Sequence, residues 1–293
     1  MNTAIIIINW NATDDTLTCI ESIKKWIAIP HQIYVVDNNS THEEKERLFA
    51  QEKNFNLLKN KINAGFSGGC NIGIKAALNN GHDAIFLLNN DARIQEKDFN
   101  LLLEALISKP DIGVIGPVIY DANTNALLNA GGKNIGWHYI SHWRHIADPQ
   151  DIYEVDYVSG TAFLARGDVF KTIGLFDESY FFSGEVADFC KRIHNYRHPS
   201  RSHFKVTIHP QAKAVHDLHV SSAHRGPLYT YYTVRNRYIY IRKFFKVYIP
   251  ILYPFWIYRH FLHAAISFMN KQKNVTKAVL KGILHGLIGK VGR

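Results

Sequence analysis

The sequence contains few cysteines and no long hydrophobic run, and each absence excludes a class of protein. Its three cysteines, at positions 19, 70 and 190, are odd in number and widely spaced. They match neither a zinc site nor a disulfide framework, which fits a reducing cytosol. No apolar stretch reaches the roughly 18 residues of a spanning helix, and the longest candidate, residues 247–258, is interrupted by two prolines.

Signals for secretion and for familiar nucleotide loops are also missing. The first residues lack a basic region and a small-residue cleavage site, so residues 3–9 are expected to form a strand rather than a signal peptide. The Gly-rich segment at 65–73 fits neither the dinucleotide-binding nor the P-loop pattern. No recognised nucleic-acid-binding module is found, so nucleic acid is not an expected partner.

What the sequence does have is basic charge and aromatic residues. The net charge is +9, and the 13% of aromatic residues concentrate in the last third. Such a charge indicates an anionic partner, which on charge alone is equally a phosphate ligand, an acidic membrane surface or a nucleic acid. A chain of 293 residues is long enough to bury a full core.

Apolar strands and amphipathic helices alternate along the first 120 residues. Strands are predicted at 3–9, 33–36, 55–58, 84–88 and from 113 onward, and helices at 13–28, 43–51, 69–79 and 99–108. Thr13 or Asp14 is expected to cap the first helix. This alternation predicts an α/β protein with a doubly wound, mostly parallel sheet.

The alternation ends after residue 120. Residues 121–157 are polar, aromatic and His-rich, and predict a hairpin or long loop that covers a site. A strand at 157–164 and a helix at 167–173 follow. From about 226 the chain is basic and aromatic, with few acidic residues and helical spacing.

Two hydrophobic runs each end in an acidic, Asn-rich corner, at Asp37-Asn38-Asn39 and at Asn89-Asn90-Asp91. In open α/β sheets, ligands bind just beyond the carboxyl ends of the strands. Asp37 could accept hydrogen bonds from a nucleotide base or ribose. Asp91 could supply one oxygen to Mg²⁺ or Mn²⁺. Asn and Asp are also ordinary turn formers, so either corner alone has a purely structural explanation.

Other segments carry residues suited to a phosphate, an acceptor or a proton. Glycines before a helix could bring backbone N–H groups to a phosphate. Glu185 and Asp188 could share a helix face and act as general base, or merely complement the helix dipole. Arg235 and Arg237 could clamp a phosphate. The histidines at 138, 142 and 145 have spacing that a metal site could use, although a lid lined with rings is favoured.

Taken together, these segments resemble the inverting family 2 glycosyltransferases of the GT-A fold, and specifically the bacterial rhamnosyltransferase-like branch. The similarity runs over practically the whole chain. It rests on Ile7-Ile8-Asn9-Trp10-Asn11, Val35-Val36-Asp37-Asn38-Asn39-Ser40, Asn63-Ala64-Gly65-Phe66 with Asn71 and Gly73, Asn89-Asn90-Asp91, Gly160-Thr161-Ala162, Phe176-Asp177-Glu178, His216, Tyr232 with Arg235-Asn236, and the segment 281–287.

The resemblance implies a role for each matching position. It implies nucleotide-sugar binding by Asn9, Asp37, Asn39, Gly65, Phe66, Asn71, Asn89, Asn90 and Arg235. It implies acceptor binding by Gly160, Thr161, Asp177, Glu178 and Tyr232. It implies that Asp91 and His216 hold the Mg²⁺ or Mn²⁺ ion, and that Glu185 or Asp188 is catalytic.

The segment that should carry the general base departs from the family pattern. The family usually has Glu-Asp-x-Asp or Glu-Glu-x-Asp, in which the second acid is commonly the base, whereas this chain has Glu185-Val186-Ala187-Asp188. Either Glu185 has taken over as base, or the enzyme is slow or inactive. We favour Glu185, because it keeps the first position of the motif and a shift of one helical residue is within side-chain reach.

The resemblance implies a metal-dependent inverting enzyme of the hexosyltransferase class. It would move a deoxyhexose such as rhamnose from a dTDP- or UDP-sugar to a glycan acceptor, expected to be linked to polyprenyl diphosphate, in cell-surface polysaccharide synthesis. Residues 1–225 would form the GT-A domain, with a donor half at 1–120 and an acceptor half at 121–225. Residues 226–293 would form a helical extension.

The extension has two readings, either a segment at the membrane interface or an aromatic core packed on the catalytic domain. The first predicts a cytoplasmic protein that lies peripherally on the inner face of the cell membrane.

Two other functions remain as alternatives. A sugar nucleotidyltransferase would need a Gly-rich basic loop where Asn9-Trp10-Asn11-Ala12 stands, and a non-catalytic glycan- or nucleotide-sugar-binding relative is suggested only by Val186.

Overall fold

A computed structural model describes residues 1–138, 141–196 and 203–293. For residues 218–225 it describes the backbone, and for the others the side chains as well. The strands are β1 (Thr3–Asn9), β2 (His31–Asp37), β3 (Asn56–Lys59), β4 (Ala84–Leu88), β5 (Ala92–Ile94), β6 (Ile112–Asp121), β7 (Leu127–Asn129), β8 (Tyr153–Glu154), β9 (Ala162–Arg166) and β10 (Lys205–His216). The helices are α1 (Thr13–Trp26), α2 (His42–Phe49), α3 (Gly65–Asn79), α4 (Glu96–Ser108), α5 (Gly167–Ile173), α6 (Glu185–Asn195), α7 (Leu218–Phe244), α8 (Ile249–Met269) and α9 (Lys273–Leu287). Short 3₁₀ helices lie at Glu52–Asn54 and Lys246–Tyr248.

The strands form one mixed, mostly parallel sheet in the order β3-β2-β1-β4-β9-β6-β10-β5, with β7 beside β6 and β8 beside β10. Strands β1 to β4 run parallel, so their carboxyl ends meet at one edge of the sheet. Strand β9 lies antiparallel between β4 and β6, and β10 runs parallel to β6. The predicted α/β fold with additional C-terminal helices is confirmed.

Alternation along the strands divides the apolar side chains between the two faces of the sheet. In β1, Ile5 and Ile7 pack with one core, while Ala4 and Ile6 pack with the other. Helices α1, α2 and α4 cover the first face, and α3, α5 and α6 cover the second. The sheet is therefore buried on both sides, which accounts for the unbroken apolar runs seen in the sequence.

The C-terminal helices form a third packed unit. Helix α7 crosses the boundary predicted between residues 225 and 226, and its backbone leaves helical geometry at Gly226, just before Pro227. Beyond the kink, Tyr238 and Ile241 of α7 share a core with residues of α8 and α9. Within the described part of the chain, the helices are too short or too polar to cross a membrane.

Several boundaries differ from the sequence-based predictions. Helix α1 begins at Thr13, but Ala12 occupies the cap position and no side chain caps it, so the predicted cap by Thr13 or Asp14 is wrong. Helix α3 begins at Gly65 rather than at 69, so part of the Gly-rich segment belongs to the helix; Gly65 itself has a φ of 72°. The strand predicted at 157–164 instead spans Ala162–Arg166. It starts later than predicted because the preceding residues form a loop at the site described below.

Candidate active site

A cleft of about 460 Å³ opens at the edge of the sheet where the parallel strands end. Of the residues predicted for the site, six line it: Phe66, Asn89, Gly160, Thr161, Glu185 and His216. The loop after β4 contributes Asn89, the loop before β9 contributes Gly160 and Thr161, and α6 contributes Glu185. Because Asn89 N donates to Thr161 O at 2.8 Å, the two loops are fixed side by side.

Glu185 is the first residue of α6 and lies in the wall of the cleft. Gly184 precedes it with a φ of 99°, a left-handed conformation that turns the chain into the helix. The residue is buried, and its Oε2 has no hydrogen-bond partner among the described residues. Burial raises the pKa of the Glu185 carboxyl from 4.5 to about 7, and the charge of Asp188 adds to the shift. A carboxyl in this position can hold or release a proton near neutral pH.

Two other residues of this motif, Val186 and Asp188, have different surroundings. Val186 is buried; it lines the cleft and also packs in the core, close to Gly160. Asp188 is fully buried on the inner side of α6, where Arg192 Nε donates to Oδ1 at 2.8 Å and Lys243 Nζ lies 2.7 Å from Oδ2. Asp188 is absent from the lining of the cleft. The contact between Asp188 and Lys243 joins α6 to α7. Lys243 also binds Asp177, which precedes α6, at 2.6 Å.

The two acidic corners are joined by a chain of side-chain hydrogen bonds. Asn9 Nδ2 donates to Asp37 Oδ1 at 3.3 Å, Thr16 Oγ1 donates to Asn9 Oδ1 at 2.8 Å, and Asn90 Nδ2 donates to Thr16 Oγ1 at 3.1 Å. Asp37 is fully buried, and its Oδ2 accepts no hydrogen bond within the described chain. This oxygen could accept an N–H or O–H group of a ligand. Sequence reasoning missed Thr16, which lies on α1.

Asp91 and His216 are brought together because β10 pairs with β5, with His216 opposite Ala92. His216 Nε2 lies 3.0 Å from Asp91 Oδ1, and both residues are nearly buried. Among the described residues, this close contact does not have hydrogen-bond geometry. Among those residues, no cluster of three or more metal-binding side chains occurs. The pair therefore fits an ion that takes most of its ligands from a diphosphate and water.

The Gly-rich segment is held from both sides. Asn38 Nδ2 donates to Gly65 O at 2.8 Å, and Phe66 N donates to Phe181 O at 2.8 Å. A Cβ at Gly65 would collide with Phe181 O. Asn38, which sequence reasoning did not select, thus connects the Asp37 corner to α3. Its neighbour Asn39 instead accepts a hydrogen bond from Lys45 at 2.6 Å and lies outside the cleft.

Two other predicted binding residues form internal contacts. Asn71 Nδ2 donates to Phe176 O at 3.0 Å and to Glu178 Oε1 at 2.9 Å, which joins α3 to the segment before α6. Arg235 is fully buried and donates to Gly292 O and Asn236 Oδ1, with its guanidinium over the ring of Tyr232. These groups, like Asp177, lie outside the lining of the cleft.

Arg237 lines the cleft in place of Arg235. Residues two apart in a helix point about 200° apart, so only one of these arginines can face the site. The Arg237 guanidinium lies 3.7 Å from the ring centre of Trp256, which holds it against α8. Sequence reasoning named both arginines as a phosphate clamp and selected Arg235 for donor binding. The orientation of α7 about its axis distinguishes the two arginines.

The segment after β6, which the sequence analysis expected to cover a site, contributes lining residues to the cleft. Strand β7 pairs with β6 as a hairpin, and Asn129, Ile135, His142 and Arg144 line the cleft from this side. The predicted histidine cluster does not converge on one point. His138 bonds Asn134 O, His142 lines the cleft, and His145 stacks on Trp143. Burial, with the nearby charge of Arg144, lowers the pKa of His142, so this imidazole is neutral at neutral pH.

Comparison with known proteins agrees with this geometry. The family model described as "Glycosyl transferase family 2" matches residues 4–174. The chain is 25% identical over 265 residues to the dTDP-rhamnosyl transferase RfbF of Shigella flexneri, a match that covers 88% of this chain and 85% of RfbF. It is 24% identical over 303 residues to the low-salt glycan biosynthesis hexosyltransferase Agl10 of Haloferax volcanii, covering 99% and 92%.

Solved structures extend the likeness of the fold. The mannosyltransferase PcManGT of Pyrobaculum calidifontis, in complex with GDP-Man and Mn²⁺, superimposes with a TM-score of 0.60 at 11% identity over 99% of this chain and 88% of that protein. The fold and the cleft define a GT-A glycosyltransferase. The chain belongs to glycosyl transferase family 2, as the family match over more than half of its length shows.

Proposed function

We propose that this protein transfers a hexose, with inversion, from a nucleotide-diphosphate sugar to a hydroxyl group of a glycan, with Glu185 as the general base. The observation that carries the proposal is the Glu185 carboxyl: it borders the cleft, its Oε2 lacks a hydrogen-bond partner in the described chain, and burial raises its pKa to about 7. Base catalysis of this kind contributes about 10²–10⁴-fold to rate.

The reaction is a single displacement at the anomeric carbon. Glu185 takes the proton of the acceptor hydroxyl while that oxygen forms a bond to the anomeric carbon. The bond from the anomeric carbon to the phosphate oxygen breaks, and the nucleoside diphosphate leaves with the electron pair. Attack from the face opposite the leaving group inverts the configuration.

The donor would lie between the two acidic corners. Asp37 would bind the base or ribose through its Oδ2, held in place by Asn9. Asp91 and His216 would hold Mg²⁺ or Mn²⁺ against the diphosphate; when bound, the ion stabilises the negative charge of the leaving group. Asp188 is excluded as base in this proposal, because Arg192 and Lys243 already bind both of its oxygens.

Rhamnose carried on dTDP is the donor we propose, because RfbF, a relative that spans most of this chain, is named a dTDP-rhamnosyl transferase. For the acceptor we propose a glycan on polyprenyl diphosphate, in cell-surface polysaccharide synthesis at the cytoplasmic face of the membrane. Residues 1–225 would supply the donor and acceptor halves. A screen of donor hydrolysis across nucleotide sugars with Mg²⁺ and with Mn²⁺ tests the choice of donor.

The role of Glu185 is tested by Glu185→Gln. We expect kcat to fall by about 100-fold or more, with donor binding changed little. In the wild type, kcat should fall about tenfold per pH unit below about pH 7, because the base becomes protonated. Glu104→Gln, at an exposed position of α4, controls for the loss of one charge. Full activity of Glu185→Gln would remove Glu185 as base, and donor binding without turnover in the wild type would favour the non-catalytic alternative.

The metal assignment is tested separately by Asp91→Asn. Calorimetry should show that Mn²⁺ no longer strengthens donor binding, while circular dichroism shows an intact fold. Asp98→Asn is a matched control: Asp98 is similarly buried, at 4% exposure against 8% for Asp91, and Asn would still accept the hydrogen bond from Lys213 N. Unchanged Mn²⁺ dependence in Asp91→Asn would overturn the assignment.

A further inference from the structure

Charge is distributed very unevenly along this chain. The first 217 residues contain 21 Lys and Arg against 25 Asp and Glu, whereas the last 76 contain 13 Lys and Arg and no acidic residue. The net charge of +9 therefore arises entirely from the C-terminal segment. A segment of one sign on a protein that is otherwise slightly acidic indicates that this segment has an anionic partner of its own.

Helix α8 in this segment exposes a long apolar stripe. Its members recur at intervals of three or four residues, which places them on one face of the helix. Their exposed fractions range from 37% to 78%: Ile251, Phe255, Tyr258, Leu262, Ile266 and Met269. Phe261 and Phe268 border the stripe and are also exposed.

The opposite face of α8 is already occupied. Leu252, Trp256, His260 and Ala264 are buried against α7 and α9. An apolar core is therefore complete without the exposed stripe, and packing on the catalytic domain does not explain it. Contiguous exposed apolar surface of this kind marks an interaction site.

We propose that the exposed stripe of α8 docks on an anionic lipid bilayer, with the helix lying in the plane of the interface. Apolar and aromatic side chains would enter the boundary between headgroups and acyl chains, while lysines of α9 and of its flanks, such as Lys273, Lys277 and Lys281, contact the anionic headgroups. A second copy of the chain fits this face less well, because it would bring two acid-free basic segments together.

The docked helix would also be in contact with the cleft. Trp256, on the buried face of α8, donates from Nε1 to Gly136 O at 2.8 Å. Gly136 follows Ile135, which lines the cleft, and Arg237 of the cleft stacks on the same indole. Docking of α8 would therefore hold the wall of the cleft that includes Ile135 and Arg237 beside the membrane, where a lipid-linked acceptor would be presented.

Vesicle sedimentation of the full-length protein tests the docking. We expect binding to vesicles of phosphatidylglycerol and phosphatidylcholine, weaker binding as salt rises, and little binding to phosphatidylcholine alone. Ile251→Glu/Ile266→Glu should weaken binding about tenfold or more, because two charges would enter the apolar boundary. Ile107→Glu is the matched control, since Ile107 also lies on a helix and is 54% exposed, against 57% for Ile266.

Three outcomes would overturn the docking proposal: no binding of the wild type to anionic vesicles, equal loss of binding by Ile107→Glu, or a wild-type dimer in light scattering that Ile251→Glu/Ile266→Glu dissociates. The last would identify a second copy as the occupant. Vesicle binding requires no turnover, so this test does not depend on the proposed reaction. Glu185→Gln should bind vesicles like the wild type even though it is inactive.

Discussion

Replacing Glu185 with Gln is expected to stabilise the folded protein at neutral and alkaline pH. Burial raises the pKa of this carboxyl from 4.5 to about 7. Between these values the folded protein keeps a proton that the unfolded chain has released, so stability falls as pH rises through this range. A Gln side chain carries no charge at any pH and avoids this loss.

The expected size follows from the two pKa values. Each pH unit between them is worth about 1.4 kcal/mol, so the contribution of Glu185 to the stability of the wild type falls by about 3 kcal/mol from about pH 4 to about pH 8. The free energies of unfolding of Glu185→Gln and wild type should therefore be similar near pH 4. The variant should be about 3 kcal/mol more stable near pH 8.

Urea denaturation of both proteins at several pH values measures this difference. Glu104→Gln removes the same charge from an exposed position and should show no comparable gain. A stability difference that stays constant with pH, or a variant that is less stable than the wild type near pH 8, would refute the raised pKa. It would also remove the physical basis for Glu185 as a base that works near neutral pH.

Two further substitutions test contacts that hold the site. Asp188→Asn should cost about 3 kcal/mol in urea denaturation, because Lys243 and a neighbouring arginine lose their buried counter-charge; a loss under about 1 kcal/mol would show the ion pair to be unimportant. Gly65→Ala should cost about 2 kcal/mol more than Gly81→Ala, since both have positive φ but only a Cβ at Gly65 meets Phe181 O; equal losses would exclude the collision.

The elements that the sequence predicted are those with a strong local pattern. Strand β4 has the bounds expected from five consecutive buried residues, and α5 also agrees with its prediction. Buried strands and amphipathic helices are specified by neighbouring side chains, which a sequence displays directly. The position of β9, antiparallel between β4 and β6, depends on pairing between distant segments, which the local pattern does not contain.

The site was predictable as a set of segments and not as a set of contacts. The segment containing Asn89 and the one containing Glu185 were both recognised, and the structure brings them to one cleft. Which of Arg235 and Arg237 faces the cleft depends on the rotation of α7 about its axis, and that rotation is fixed by contacts with α8 and α9. The role of Asn38 likewise depends on a distant contact, its hydrogen bond to Gly65 O, 27 residues away in the sequence.

The structure also separates the two acids of α6, both of which the sequence analysis named as catalytic candidates while favouring Glu185. Glu185 and Asp188 are three residues apart and both buried, yet among the described residues only Asp188 has cationic partners, in Arg192 and Lys243. A carboxylate paired with cations holds elements together, whereas a buried carboxyl without a cationic partner takes up and releases protons near neutral pH. Val186 stands where the family usually has an acid, so in our proposal proton transfer by a protein carboxylate in this cleft depends on Glu185.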